Sequence, residues 1–265
     1  MTRQIELPLL RPRWDAPAQV HALMTTRVGG VSAAPWNSLN ISHSVGDAAA
    51  AVDENRRRVE AAIGVPIAWL ALEHGARVHK ASHLELQGPR PVADATWTNE
   101  PGLACAITAA DCLPVLLSSR DGSVVGAAHA GWRGLAAGVL ENTVRAMCVG
   151  AGCAPGELMA WLGPCIGPQE FEVGADVVGA FGGHADSHAA SHFTPRFTPR
   201  TRADGSAAWL ADLPQLARDR LLRSGVRSIS GGHWCTVSDA SRFFSFRRDP
   251  VTGRMLAAIW RDKLA

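Results

Sequence analysis

Gly102–Leu117 reads GLACAITAADCLPVLL, and Ser123–His129 reads SVVGAAH. The first run holds two strands around Asp111-Cys112, with Pro114 at a break, and the second is one further strand. Their apolar residues are continuous rather than alternating. Such strands are covered on both faces, because a solvated face would carry polar side chains at every second position. Working outward, Val20–Arg27 (VHALMTTR) and Pro66–Leu72 (PIAWLAL) read as strands, and Ala48–Ile63 (AAAAVDENRRRVEAAI) as a helix stopped by Gly64. Leu135–Cys148 reads as a helix and Leu158–Cys165 as a strand. Trp209–Ser224 (WLADLPQLARDRLLRS) is an amphipathic helix, with Pro214 near its first turn and Gly225 at its stop. Ser228–Thr236, Arg242–Arg248 and Arg254–Trp260 are strand-like runs. Many strands, several helices and no strict β-α alternation place the chain in the α/β class, as an α+β or layered α/β domain.

Of the 265 residues 47% are hydrophobic and 19% charged, with 26 basic side chains against 24 acidic. That is material for a substantial core, and the length allows one large domain, residues 1–265, or two small ones. A net charge of +2 leaves no polyanion footprint, so no nucleic-acid partner is expected. No run of about 18 apolar residues occurs, so no membrane span is expected. The opening MTRQIELPLLRPRWD lacks an apolar h-region and carries Glu6, which reads as a cytoplasmic protein rather than a secreted one. The six cysteines form no CxxC pair and read as reduced, buried thiols. Gly182–Ala208, with FTPR twice in tandem, reads as an exposed loop or insertion. His184, His188 and His192 within it are spaced by four, but the surrounding Gly, Ser, Pro and Ala oppose the helix that would align them.

Three places interrupt the apolar pattern with reactive side chains. His74 ends a strand in Leu72-Glu73-His74-Gly75. Asp111 and Cys112 break a buried run. His129 ends a strand and enters the turn Ala130-Gly131-Trp132-Arg133-Gly134. Two imidazoles and a thiolate suit zinc, and three protein ligands leave a fourth position open, the arrangement of a catalytic site. The same atoms serve a second arrangement, with Cys112 as nucleophile, His129 as its base and Asp111 or another group orienting the pair. Residue types alone do not separate the two. Arg27 precedes a Gly29-Gly30 turn, and it joins Arg133, Arg247 and Arg248 as a candidate for holding phosphate. GxGxxG, GxxxxGK[ST] and HExxH are all absent, which speaks against a Rossmann dinucleotide site, a P-loop and a zincin.

TTRVGGVS, NSLN followed by Gly46-Asp47, ENRRR, WLALEHG, ADAT, TAADCLPVLL, AAHAGWRG, LGPCIGPQEFEVG and FFSFRRDPVTGRM occur in that order. On these segments the chain resembles the YfiH-type laccase-domain family over residues 19–262. The family was first called multicopper polyphenol oxidases, and its members are now assigned as purine nucleoside phosphorylases with adenosine deaminase activity. The resemblance implies a single-domain, four-layered α/β/β/α sandwich similar to the cytotoxic necrotizing factor-type cysteine hydrolases. It implies zinc ligands at His74, Cys112 and His129. It also implies cleavage of adenosine, inosine, guanosine or methylthioadenosine by phosphate to base and ribose 1-phosphate, with deamination of adenosine beside it.

On this reading Cys112, His129 and Asp111 carry the chemistry, and Arg27, Arg133 and Arg248 hold substrate. The partners are purine nucleosides and phosphate; the oligomeric state stays open, a homodimer among the alternatives. Three departures stand out: Leu72-Glu73 where the family has Gln-Val, Phe246 where it has Tyr, and Ser44 where it has a histidine, with His43 one place earlier. A one-residue slip on a strand would turn that side chain to the other face, so neither residue receives a role. Two alternatives stand beside the leading reading. Copper-dependent phenol oxidation fits the ligand types, although no HxH pair occurs and no methionine lies near the three ligands in sequence. A non-catalytic protein could hold a structural zinc completed by Cys105, Cys165 or Cys235.

Overall fold

The computed structural model describes residues 7–182 and 196–262. In chain order the strands of the first half are β1 (Leu9–Leu10), β2 (Val20–Thr25), β3 (Ile67–Ala68), β4 (Val78–Lys80), β5 (Ala95–Thr98), β6 (Ala104–Ala109), β7 (Leu113–Ser119) and β8 (Val125–Ala130). Then come β9 (Leu158–Leu162), β10 (Glu172–Val173), β11 (Phe197–Thr201), β12 (Ala207–Ala211), β13 (Ser228–Gly231) and β14 (Met255–Arg261). The helices are α1 (Ala49–Ile63), α2 (Trp132–Ala136), α3 (Val139–Ala151), α4 (Ala175–Ala180) and α5 (Leu213–Arg223). They build a mixed α/β fold with a five-stranded sheet ordered β1-β2-β14-β6-β3, a six-stranded sheet ordered β13-β9-β7-β8-β5-β4 and a small sheet ordered β10-β12-β11.

The continuous apolar runs are explained by what lies on either side of each strand. In β2, Ala22 and Met24 face one way and Leu23 the other; in β14, Met255, Ala257 and Ile259 oppose Leu256, Ala258 and Trp260. The first set meets Leu116 of β7, Val125 and Ala127 of β8 and Trp161 of β9 in a core between the two large sheets. The second set packs with Val59 and Ile63 of α1. On the far face of the six-stranded sheet, Val115, Leu117 and Leu162 pack with Val144 and Met147 of α3 and Leu216 and Leu221 of α5. With period-two side chains apolar on both faces, no alternation survives in the sequence.

Several expectations change in detail. Asp111-Cys112 does separate two strands, but Pro114 lies inside β7 at its second residue, where its carbonyl accepts from the Gly163 N–H at 2.8 Å. The helix expected from Leu135 is two helices, because Gly138 adopts φ 92 between α2 and α3. The amphipathic run from Trp209 begins as strand. α5 starts only after Asp212, whose side chain accepts from the Gln215 N–H at 2.9 Å and caps it. Gly182–Ala208 is not all loop: Phe197–Thr201 pairs antiparallel with Ala207–Ala211, and Pro199 is tolerated because β11 is an edge strand. Arg242–Arg248 forms turns instead of a strand, with consecutive Phe243 and Phe244 both driven into the inter-sheet core. His184, His188 and His192 lie outside the described residues. Among the described residues no helix is long and apolar enough to cross a membrane.

Trp161 is 1% exposed between the two large sheets, with its ring edge-on to Trp234 at 5.8 Å. Trp161→Ala is expected to lower unfolding stability by about 3–5 kcal/mol, read from urea denaturation.

Candidate functional site

Strand ends and loops of the two large sheets bring three distant side chains together. His74 lies on the loop between β3 and β4, Cys112 in the turn joining β6 to β7, and His129 in β8. One ligand atom from each lies within 4.8 Å of the others. The rings of His74 and His129 stand edge-to-face with centroids 4.9 Å apart.

The local backbone is held against its own preference. His74 (φ 62) and Asp111 (φ 85) are non-glycine residues in the left-handed region, a conformation that persists only where the surroundings enforce it. For His74 the enforcing group is Asp94, which is fully buried. Its Oδ1 accepts from the His74 N–H at 2.9 Å, and its Oδ2 from the N–H of Gly75 at 2.7 Å and of Glu73 at 3.2 Å. Asp94 also stands 2.9 Å from His129 Nδ1, while its carbonyl accepts from the His129 N–H at 2.7 Å. With Nδ1–H donated to a carboxylate, His129 turns its other nitrogen to the cluster.

For Asp111 the anchors are the Thr236 hydroxyl, the Ser245 hydroxyl at 3.1 Å and the Arg247 N–H at 2.7 Å, all donating to its carboxylate. The acid that orients His129 is therefore Asp94, and Asp111 fixes the turn that carries Cys112. Two glycines of the Ala130–Gly134 turn are required by contact. A Cβ on Gly131 would lie 2.8 Å from Cys112 Sγ, and one on Gly134 would lie 2.6 Å from the Gly75 carbonyl oxygen.

Exposure grades across the cluster. His129 is 3% exposed, Cys112 is half-buried and His74 is open to the adjoining cavity. Burial raises the Cys112 thiol, but the His129 and His74 imidazoles outweigh it and leave the thiol lowered to about 6. Burial likewise works against a charged His129, yet Cys112 and Asp94 together raise it to about 9. Asp94 is pushed up by burial and brought down further by His129 and the Gly75 and Glu73 N–H groups, so it stays ionised. The thiolate is the form that binds metal. Two imidazoles and a thiolate, tied from behind by a carboxylate and open on one side, fit a divalent zinc.

The cluster opens into a cavity of about 830 Å³. Its wall carries Arg56, Arg90, Arg133, Arg247 and Arg254 but a single carboxylate, Asp111. Of the three arginines expected at substrate, only Arg133 is there, in the first turn of α2 and over the Trp132 ring at 4.4 Å. Arg27 lies at a separate depression, donating to the carbonyls of Asn37 at 3.0 Å and Ala240 at 3.1 Å. Arg248 is a brace inside the Thr236–Asp249 segment, donating to the carbonyls of Thr236, Val237 and Phe243. His43 and Ser44 both line the cavity, because they sit in a 3-10 turn where adjacent side chains need not face opposite ways. None of Cys105, Cys165 and Cys235 joins the cluster.

Asp94, Arg56, Arg90 and Arg254 were missed as candidates. For Arg56 a signal existed. It shares the buried face of α1 with Val52, Val59 and Ile63 at helical spacing, an unusual place for a cation. Asp94 carried no such mark, since its partners, three backbone N–H groups and the His129 imidazole, are remote in sequence.

A family model described as multi-copper polyphenol oxidoreductase laccase matches residues 21–262. The chain is 47% identical over 253 residues to a purine nucleoside phosphorylase of Pseudomonas aeruginosa, spanning 95% of this chain and 97% of that protein. It is 45% identical over 261 residues to the purine nucleoside phosphorylase YfiH of Escherichia coli, spanning 95% and 98%. A crystal structure of a Neisseria meningitidis protein superposes with a TM-score of 0.85 at 45% identity, covering 96% of this chain and 99% of that one. YlmD of Geobacillus stearothermophilus superposes at 0.82 with 31% identity, covering 97% and 100%.

Asp94→Asn replaces an acceptor of three N–H groups and one imidazole with a group that both donates and accepts. It is expected to weaken the cluster's affinity for an added divalent metal ion about 10- to 100-fold, measured by competition with a chromophoric chelator. Wild-type affinity in that variant would show that the carboxylate does not hold the cluster.

Proposed function

This chain belongs to the multi-copper polyphenol oxidoreductase laccase family, and from that premise we propose that it is a zinc-dependent purine nucleoside phosphorylase that also deaminates adenosine. The names of the relatives at 45–47% identity support the first activity. The observation that carries the reading is the pairing of a His74–Cys112–His129 cluster with a cavity wall of five arginines and one carboxylate. Such a cavity concentrates an anion beside an uncharged co-substrate, as phosphorolysis requires. The substrates are adenosine, inosine, guanosine and methylthioadenosine with phosphate, giving the free base and ribose 1-phosphate. The family also leads us to propose that the three cores are those of a four-layered α/β/β/α sandwich of the cytotoxic necrotizing factor type, folded as one catalytic domain.

His74, Cys112 and His129 hold the ion. Zinc bound there supplies Lewis acidity for deamination at C6. Asp94 keeps His129 in the tautomer that leaves its second nitrogen for the ion and fixes the His74 loop. Asp111 holds the Cys112 turn against the segment from Thr236 to Arg247. Arg133, exposed at the cavity wall, contacts substrate. Leu72, Ile166, Phe171 and Phe246 supply the apolar wall against which a purine lies. For phosphorolysis, a phosphate oxygen attacks C1′ while the glycosidic bond electrons leave with the base. The arginines hold the attacking group in place and offset its charge.

One observation favours a second metal: a thiolate with two imidazoles also suits copper. Metal analysis of protein prepared without added copper separates the two. Cys112→Ala is expected to abolish stoichiometric zinc and to reduce inosine phosphorolysis at least about 100-fold, with wild-type thermal unfolding as the check on folding. Chelation of the wild type should remove activity, and added zinc should restore it. Phosphorolysis at the normal rate in Cys112→Ala would overturn the assignment.

A further inference from the structure

The five cavity arginines are not equivalent. Arg247 donates to the carbonyls of Glu170 and Glu172, and Arg254 to those of Thr252 and Gly253. Arg133 is exposed and stacked on Trp132. Arg56 differs: its side chain lies on the buried face of α1, 8% exposed, with the guanidinium carbon over the Trp69 ring at 4.0 Å. Its Nε donates to the Ile41 carbonyl at 2.8 Å, and its remaining N–H groups have no protein partner among the described residues. None of the nearby acids forms an ion pair with it: Asp53 pairs with His43 at 3.1 Å and Glu54 with Arg57 and Arg58, while Glu60, one turn on, acts on the guanidinium only at longer range, as Asp53 does.

Arg90 is exposed and likewise has no ion pair among the described residues. It projects from Pro89-Arg90-Pro91, where flanking prolines restrict the backbone. Arg56 and Arg90, together with Trp69 and Leu70, line both the main cavity and a second one of about 250 Å³. His74, Cys112 and His129 line only the first. A buried cation without an ion-pair partner, set near a second cation, is costly unless an anion completes it. The strain is visible in the guanidinium of Arg56, which burial and then Arg90 lower to about 10.

We propose that Arg56 and Arg90 form the phosphate subsite of the cavity, on the wall it shares with the smaller cavity. The assignment rests on the phosphorylase reading for the identity of the anion. The planar guanidinium, clamped on Trp69 and by Ile41, presents its free N–H edge as a fork for two phosphate oxygens. Arg90 closes over the same group from the solvent side.

The test uses two variants of the zinc-loaded protein, Arg90→Gln on the surface and Arg56→Lys within the wall. Inosine phosphorolysis is measured against phosphate at saturating inosine and against inosine at saturating phosphate. The rise in Tm caused by inorganic phosphate alone is measured in parallel. In each variant the phosphate KM should rise about 10-fold or more, as expected for a lost charge-assisted contact, with the inosine KM within about 2-fold of wild type and the phosphate-induced rise in Tm diminished. Should Arg56→Lys fail to fold, Arg90→Gln decides alone. Unchanged phosphate KM and unchanged Tm response would overturn the subsite while leaving the phosphorylase reading intact. A wild type that performs no phosphorolysis, yet loses its phosphate-induced Tm rise in Arg90→Gln, would overturn that reading and sustain the anion site.

Discussion

The candidate centre depends on one buried carboxylate. Asp94 gathers the N–H groups of Glu73, His74 and Gly75 on one side and the imidazole of His129 on the other. Burying an ionised acid is unfavourable by itself, and here it is offset by four donors arranged around two oxygens. The loop bearing His74 therefore cannot relax out of its left-handed turn without leaving a charge unsatisfied. Rigidity of the exposed ligand is derived from the buried one, through a residue that touches neither solvent nor the open side of the site.

Much of this was legible in the amino-acid order. GLACAITAADCLPVLL announces two strands apolar on both faces, and the structure shows why: helix on one side, a second sheet on the other. His74, Cys112 and His129 were visible because each sets a reactive side chain beside an apolar run, although His74 lies on a loop well past the short strand β3 rather than at its end. The failures have local causes. In WLADLPQLARDRLLRS the apolar pattern runs unbroken from strand into helix, and only the cap at Asp212 marks the change. In Arg242–Arg248 two adjacent phenylalanines look like strand but are buried as a turn, because Asp111 gathers the Ser245 hydroxyl and the Arg247 N–H into its own carboxylate.

The arginines show the limit more sharply. ENRRR places three identical charges in succession, and only helical phase distinguishes them. Arg57 and Arg58 reach back to Glu54, whereas Arg56 rotates into the protein between Trp69 and Ile41. Arg27 and Arg248, which looked better placed beside glycine and in a charged loop, are consumed by backbone carbonyls. Whether a guanidinium is available for a ligand is decided by which carbonyls surround it, and those come from segments far along the chain.

The position of β14 has a consequence for how the molecule is born. This strand, residues 255–261, occupies the centre of its sheet, flanked by β2 and β6 from the amino-terminal half. A ribosome threading the polypeptide out from its amino end delivers those two neighbours long before the strand that joins them. Until it arrives, their facing edges stand open to foreign strands, and Asp111 waits for Thr236, Ser245 and Arg247. The turn that carries Cys112 therefore gains its anchors only after the carboxy-terminal segment is made, so the cluster is among the last parts of the molecule to be completed.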